Sequence, residues 1–116
     1  MVVTKVGIPK VEGLRNPKGL TMAAYLIANI DVKDPAAYEE YKAKVPAIVH
    51  KYGGEYLARG GRFVVLEGDW KPTRIAVLRF PNLEAMQALH DDAEYQPLKA
   101  LRQRVTKTDF VVVEGV

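Results

Sequence analysis

The stretch Ala23-Ala24-Tyr25-Leu26-Ile27-Ala28-Asn29-Ile30, followed closely by Asp34-Pro35, carries the main clue to how this chain folds. Its residues alternate with period two. Leu26, Ala28 and Ile30 make one apolar face, and Tyr25, Ile27 and Asn29 make the other, as in a strand. Both faces are largely apolar, so both are expected to be covered. Asp34 suits a helix N-cap and Pro35 the first helical position. Tyr38, Tyr41, Val45, Ile48, Val49 and Tyr52 then recur at helical spacing. Pro46 lies inside that stripe and predicts a kink or interruption near residues 42–45.

Further along, Glu55–Arg59 reads as a short strand broken by Gly60-Gly61, with 63–67 continuing in extended form. Two glycines inside such a pattern predict a bulge or tight hairpin. A turn at Gly68–Pro72 precedes a strand over 73–80, with Arg74, Ala76, Leu78 and Phe80 on one face. Asn82 is placed to cap a second helix with Leu83, Met86 and Leu89 as its stripe. Asp92 can cap a third helical piece over 93–102, and 107–114 is a β-branched strand. The order β-α-β-β-α-β predicts an α+β, ferredoxin-like fold: a four-stranded antiparallel sheet with helices on one face. A body of about 95 residues only partly shields a two-sided apolar sheet, so a homodimer through the open sheet face is expected.

The chain has 116 residues and a formal charge of +3. Lys5, Lys10, Arg15 and Lys18 against Glu12 put the whole excess in residues 1–21, while 22–116 hold 13 basic and 13 acidic residues. A neutral body lacks the footprint of a nucleic-acid binder. Residues 1–21 show no sustained period and are expected to form an N-terminal extension, flexible unless docked, with an arm to a partner subunit as the alternative. No apolar run approaches the roughly 20 residues of a membrane span, and no secretory h-region is visible, which makes a cytoplasmic location the expectation. The absence of cysteine excludes disulfides, thiolate metal sites and a Cys nucleophile; the absence of serine excludes a Ser-His-Asp triad.

The chemistry-bearing residues are few. His50 and His90 are the two histidines, too few for a three-histidine metal site within one chain. His50 borders the helical stripe and reads as a surface residue. His90 stands near Asp91, Asp92, Glu94 and Tyr95, where it could move a proton or, in a weaker alternative, hold a metal with those carboxylates; a solvated helix end favoured by the dipole explains it equally. Arg59 and Arg62 flank Gly60-Gly61, a pattern suited to anions but without the strand-to-helix context of a phosphate loop. Trp70 reads as a core or interface anchor. Asn29, an amide among apolar neighbours, must find partners within the sheet or line a pocket.

Several motifs in order resemble one family. Tyr25-Leu-Ile-Ala-Asn-Ile-Asp31, Asp34-Pro35, Val45-Pro46, Lys51-Tyr-Gly-Gly54, Leu57-Ala-Arg-Gly-Gly61, Leu66-Glu-Gly-Asp-Trp70, Pro72-Thr-Arg74, Arg79-Phe-Pro81 and Glu94-Tyr-Gln96 are similar to those of domain-of-unknown-function family 1330. The resemblance runs from Met22 to Val116, and it makes Pro46 a family feature. It implies a dimeric α/β barrel, two ferredoxin-like protomers joined through their sheets, an architecture shared with cofactor-free monooxygenases, small isomerases and ligand-binding proteins. It supplies no reaction. Leu89-His90 depart from the aromatic pair often found there in the family.

Two functions stay open at this point. One is a pocket between sheet and helices that binds or converts a small organic acid or aromatic metabolite without a tightly bound cofactor. There Asn29, Arg59 and Arg102 would bind the ligand, Arg59 or Arg102 holding a carboxylate or enolate, while His90 or Tyr95 moves a proton. The other is a non-catalytic structural or regulatory dimer. A cavity well below roughly 300 Å³ would favour the second.

Overall fold

The structure, a computed structural model, describes residues 22–116; the expectation for 1–21 lies outside the described residues. The elements run β1 (Ala24–Val32), α1 (Pro35–Lys51), β2 (Glu55–Arg59), β3 (Ile75–Phe80), α2 (Leu83–Asp91), α3 (Tyr95–Val105) and β4 (Thr106–Glu114). The strands form one antiparallel sheet in the order β2-β3-β1-β4. This is the ferredoxin-like α+β arrangement that the element order predicts, with the second helix divided into α2 and α3.

Period two sorts the sheet into two faces. Leu26, Ala28 and Ile30 of β1 are buried and join Ala76, Leu78 and Phe80 of β3 in the core. The helices cover this face through Tyr38, Tyr41, Val45, Ile48 and Val49 of α1, Met86 and Leu89 of α2, and Tyr95, Leu98, Leu101 and Val105 of α3. On the opposite face, register aligns Val77, Ile27 and Val111 in one row and Arg79, Tyr25 and Val113 in the next. Val111 and Val113 are about half exposed there (52% and 49%), so this face is apolar and open in the single chain.

The helix starts follow the predicted chemistry. Asp34 Oδ1 accepts from the Ala37 N–H at 3.1 Å, and Asn82 Oδ1 accepts from the Ala85 N–H at 2.7 Å. The predicted interruption at Pro46 does not occur, because α1 runs unbroken from Pro35 to Lys51. An interior proline removes the hydrogen bond to the carbonyl four residues earlier and disfavours the helix by about 3 kcal/mol. Here that carbonyl belongs to Lys42, and it accepts from Arg59 Nη2 at 2.8 Å. A hydrogen bond from a charged donor contributes about 1.5–3 kcal/mol, enough to offset much of the deficit. The buried stripe of α1 supplies the rest.

Four other readings change. Residues 63–67 do not extend a strand: beyond Arg59 the chain leaves the sheet and returns at Ile75. The irregularity in the β2–β3 pairing falls between Tyr56 and Ala58, not at Gly60-Gly61. The loop instead carries Phe63, Val64, Val65, Leu66 and Trp70 exposed on its surface, so Trp70 is no core anchor. The third helix begins at Tyr95 rather than 93, because Asp92 Oδ1 accepts from the Glu94 N–H at 2.7 Å and holds that residue in a turn.

Candidate functional site

A cavity of about 60 Å³ lies between the inner face of the sheet and the helices. Its position follows from one row of the register. Arg59 of β2 pairs with Ala76 of β3, and Ala28 of β1 pairs with both Ala76 and Phe110. The neighbouring row holds Tyr56, Leu78, Leu26 and Val112. Tyr56, Leu78 and Leu26 also line the cavity, and in the Arg59 row the two central residues, Ala28 and Ala76, are small alanines that leave room on its floor.

The walls combine apolar and cationic groups. Tyr38, Tyr41, Tyr56 and Tyr95 line the cavity, together with Arg59 and Arg74. Arg59 lies over the Tyr56 ring at 4.7 Å. Arg74, one residue before β3, faces inward like Ala76, and its Nε is buried with no hydrogen-bond partner. Its guanidinium rests against Gly60, where a Cβ would come within 2.3 Å of Nη1. With φ at +72°, Gly60 also occupies a backbone conformation that other residues adopt only under strain. Arg102 of α3 is not in the lining, but its guanidinium stacks at 4.3 Å on the Phe110 ring, which is. Arg102 is 4% exposed, and its Nε too is buried without a partner. Among the described residues no carboxylate forms an ion pair with Arg59, Arg74 or Arg102.

The tyrosine hydroxyls respond to this setting. Burial raises the pKa of Tyr38 above its ordinary value, and the charges of Arg74, Arg59 and Arg102 oppose that rise. Tyr41 is raised by burial and by the Tyr95 hydroxyl, whose oxygen is 2.9 Å from its own. Tyr56 is raised by burial. At neutral pH these hydroxyls are protonated and act as hydrogen-bond donors, not as bases. The site therefore offers positive charge and O–H donors beside apolar walls, an environment that suits an anion.

The residues singled out in the sequence are only partly gathered here. Arg59 and Tyr95 line the cavity, and Arg102 adjoins it through Phe110. His90 stands at the end of α2, its ring 6.2 Å from that of Tyr95 and its side chain 37% exposed. Asn29 is on the outer face, where its Oδ1 accepts from the N–H groups of Thr73 at 2.8 Å and Arg74 at 3.3 Å. It thus holds the main chain that presents Arg74. Asp92 is occupied by Lys51 Nζ at 2.8 Å and by the Tyr52 hydroxyl, and among the described residues no group of three or more His, Asp or Glu is arranged to hold a metal ion. Sequence reasoning missed Arg74 as a site residue. Its signal was present: an arginine on the face that Ala76, Leu78 and Phe80 otherwise make apolar.

Fold and site together define a ferredoxin-like α+β protein with a small arginine- and tyrosine-walled chamber between sheet and helices. The chain belongs to the family described as domain of unknown function DUF1330, whose model matches residues 23–116. No curated protein matches its sequence. Among solved structures it is similar to the RPA0582 protein of unknown function from Rhodopseudomonas palustris, with a TM-score of 0.70 at 14% identity, covering 82% of this chain and 83% of that one. It is also similar to SnoaB, a cofactor-independent oxygenase from Streptomyces nogalater, with a TM-score of 0.56 at 12% identity over 82% and 94% of the two chains. A conserved protein from Bacteroides thetaiotaomicron, described as a possible oxidoreductase, aligns with a TM-score of 0.51 at 13% identity over 81% and 98%. At these identities the likeness is one of fold. No helix among the described residues is long and apolar enough to cross a membrane.

Proposed function

We propose that this protein binds a small organic anion, a short-chain carboxylate or its enolate, in the chamber between sheet and helices. The observation that carries the reading is the Arg74 Nε, buried in the chamber wall with no partner and no acid paired to its side chain. A buried donor left unsatisfied is unfavourable by about 1–3 kcal/mol, which a carboxylate oxygen would recover. Arg59 and the Tyr38 hydroxyl complete the donor set, and Arg102 adds positive charge through the Phe110 contact.

Size narrows the ligand. One water needs about 10–15 Å³ of such volume, so 60 Å³ accommodates roughly four to six non-hydrogen atoms. That suits a short-chain acid better than an aromatic metabolite. The same volume is far below roughly 300 Å³, which counts for the second reading, a non-catalytic structural or regulatory dimer, against a ligand site; the unpaired Arg74 Nε counts the other way. NMR titration with sodium propionate and sodium benzoate, against sodium chloride at equal ionic strength, separates these. Saturable shifts at Tyr38, Arg59 and Arg74 with propionate support the anion site. No response beyond the chloride control would refute it.

We further propose a homodimer through the outer sheet face. Tyr25, Ile27, Val77, Val111 and Val113 form a continuous apolar surface there, and Phe63–Leu66 with Trp70 lie exposed in the loop between β2 and β3. Exposed apolar patches of this kind mark association surfaces. Native mass spectrometry is expected to show a dimer for the wild type and a monomer for Val111→Lys. A monomeric wild type would overturn the assembly.

A further inference from the structure

Pro46 and Arg59 are 13 residues apart in sequence, and one carbonyl joins them. Pro46 has no N–H, so the Lys42 carbonyl four residues earlier in α1 has no helical donor. That carbonyl accepts from Arg59 Nη2 at 2.8 Å. Arg59 is the last residue of β2, pairs with Ala76, and lines the chamber. Its guanidinium is thus fixed at two points: one edge on a main-chain oxygen of α1, one face on the Tyr56 ring at 4.7 Å. A guanidinium has five N–H donors in a rigid fork, so the edge spent on Lys42 leaves others directed elsewhere.

We propose that Pro46 is a positioning residue for the anion site: by withholding an N–H from α1 it leaves a carbonyl whose function is to hold Arg59 at the chamber wall. The inference rests on the anion-site reading above for its functional meaning, but the link between Pro46 and Arg59 is testable without any ligand. In an ordinary helix the Lys42 carbonyl would be taken by the residue 46 amide, and a long, exposed arginine at a strand end would move among rotamers at an entropic cost on each binding event. Here the backbone defect of one element becomes the anchor for a side chain of another. The Gly60 that follows performs a parallel service for Arg74, whose guanidinium occupies the place a Cβ would fill.

The test uses the full chain as wild type, Pro46→Ala, Arg59→Ala and the double variant. The first readout is the Lys42 carbonyl ¹³C resonance. Arg59→Ala is expected to shift it strongly when Pro46 is present and much less in the Pro46→Ala background, where the residue at that position supplies its own amide. The second is the rate at which phenylglyoxal modifies Arg59, read by peptide mass spectrometry, which is expected to rise several-fold in Pro46→Ala. The third is propionate affinity, expected to weaken several-fold in Pro46→Ala and further on adding Arg59→Ala, with Pro46→Ala making no difference once Arg59 is alanine. Pro46→Ala replaces a helix breaker by the best helix former, so the variant is expected to fold and to melt higher than the wild type. If Arg59→Ala does not fold, Arg59→Met, which keeps the stem and has no donor, takes its place in the carbonyl measurement. A Lys42 resonance indifferent to loss of the Arg59 guanidinium, or an unchanged Arg59 modification rate in Pro46→Ala, overturns the proposal. Failure of propionate to bind the wild type would instead overturn the anion-site reading, while the first two readouts still decide the role of Pro46.

Discussion

Replacing Arg74 by methionine is expected to leave stability nearly unchanged and to make the protein less able to bind anions. Methionine keeps an unbranched stem against the chamber wall and removes the guanidinium. A gain in stability comes from the buried Nε, which has no partner in the folded protein and is solvated in the unfolded chain. An unsatisfied buried donor is unfavourable by about 1–3 kcal/mol. Against this stands the loss of the contact between the guanidinium and the buried Tyr38 hydroxyl, which leaves that hydroxyl short of a partner at a cost of about 1–3 kcal/mol as well. The two contributions nearly cancel, so Arg74→Met is expected to melt within a few degrees of the wild type instead of losing the stability that truncating a well-satisfied buried arginine would cost. Binding should change much more. A charge-assisted hydrogen bond contributes about 1.5–3 kcal/mol, so the Kd for propionate should rise by roughly tenfold to a hundredfold. Calorimetric melting without ligand and isothermal titration at fixed ionic strength measure the two effects on the same samples. A variant that melts far lower than the wild type and binds propionate equally well would refute both the unpaired-donor argument and the role given to Arg74. A large loss of binding with little loss of stability is what a residue kept for function and not for folding produces.

Three further outcomes follow from the same geometry. Tyr95→Phe leaves the buried Tyr41 hydroxyl without its 2.9 Å partner and should lower unfolding stability by about 1–3 kcal/mol, read from urea denaturation with an unchanged m-value. Ala76→Leu adds three carbons to the chamber floor, so propionate shifts should disappear from NMR titrations while the circular dichroism spectrum of the fold is retained; persistent binding would place the ligand elsewhere. The Asp92 pKa is held at about 2 by Lys51 and the Tyr52 hydroxyl, below its ordinary 3.8. Because this pKa is depressed in the folded state, the stabilisation is complete above about pH 4 and is lost as pH falls through about 2. Asp92→Asn should therefore lower Tm at pH 7, and its deficit against the wild type should close between about pH 4 and about pH 2. A constant deficit across that range would show that Asp92 acts by shape rather than charge.

The layer structure was legible in the chain itself. Alternation in Leu26, Ala28 and Ile30 against Tyr25, Ile27 and Asn29, the caps at Asp34 and Asn82, and the order of strands and helices are local signals carried by neighbours in the chain. They sufficed for the fold and for an open apolar sheet face. Pro46 shows where local reasoning stops. Its missing N–H is visible in the sequence and predicts a kink or interruption, but the Arg59 guanidinium that satisfies the Lys42 carbonyl arrives from another element. Asn29 shows the same limit on the other side of the sheet. Parity places it opposite the core, yet its bonds to Thr73 and Arg74 are made across the β1–β3 register. The chamber too was undetermined until strands were aligned, because part of its floor is room that Ala28 and Ala76 leave by falling side by side. A cavity is a property of side chains facing one another across elements. Residue spacing along one strand fixes which way each side chain points, but only tertiary packing decides what, if anything, stands opposite it.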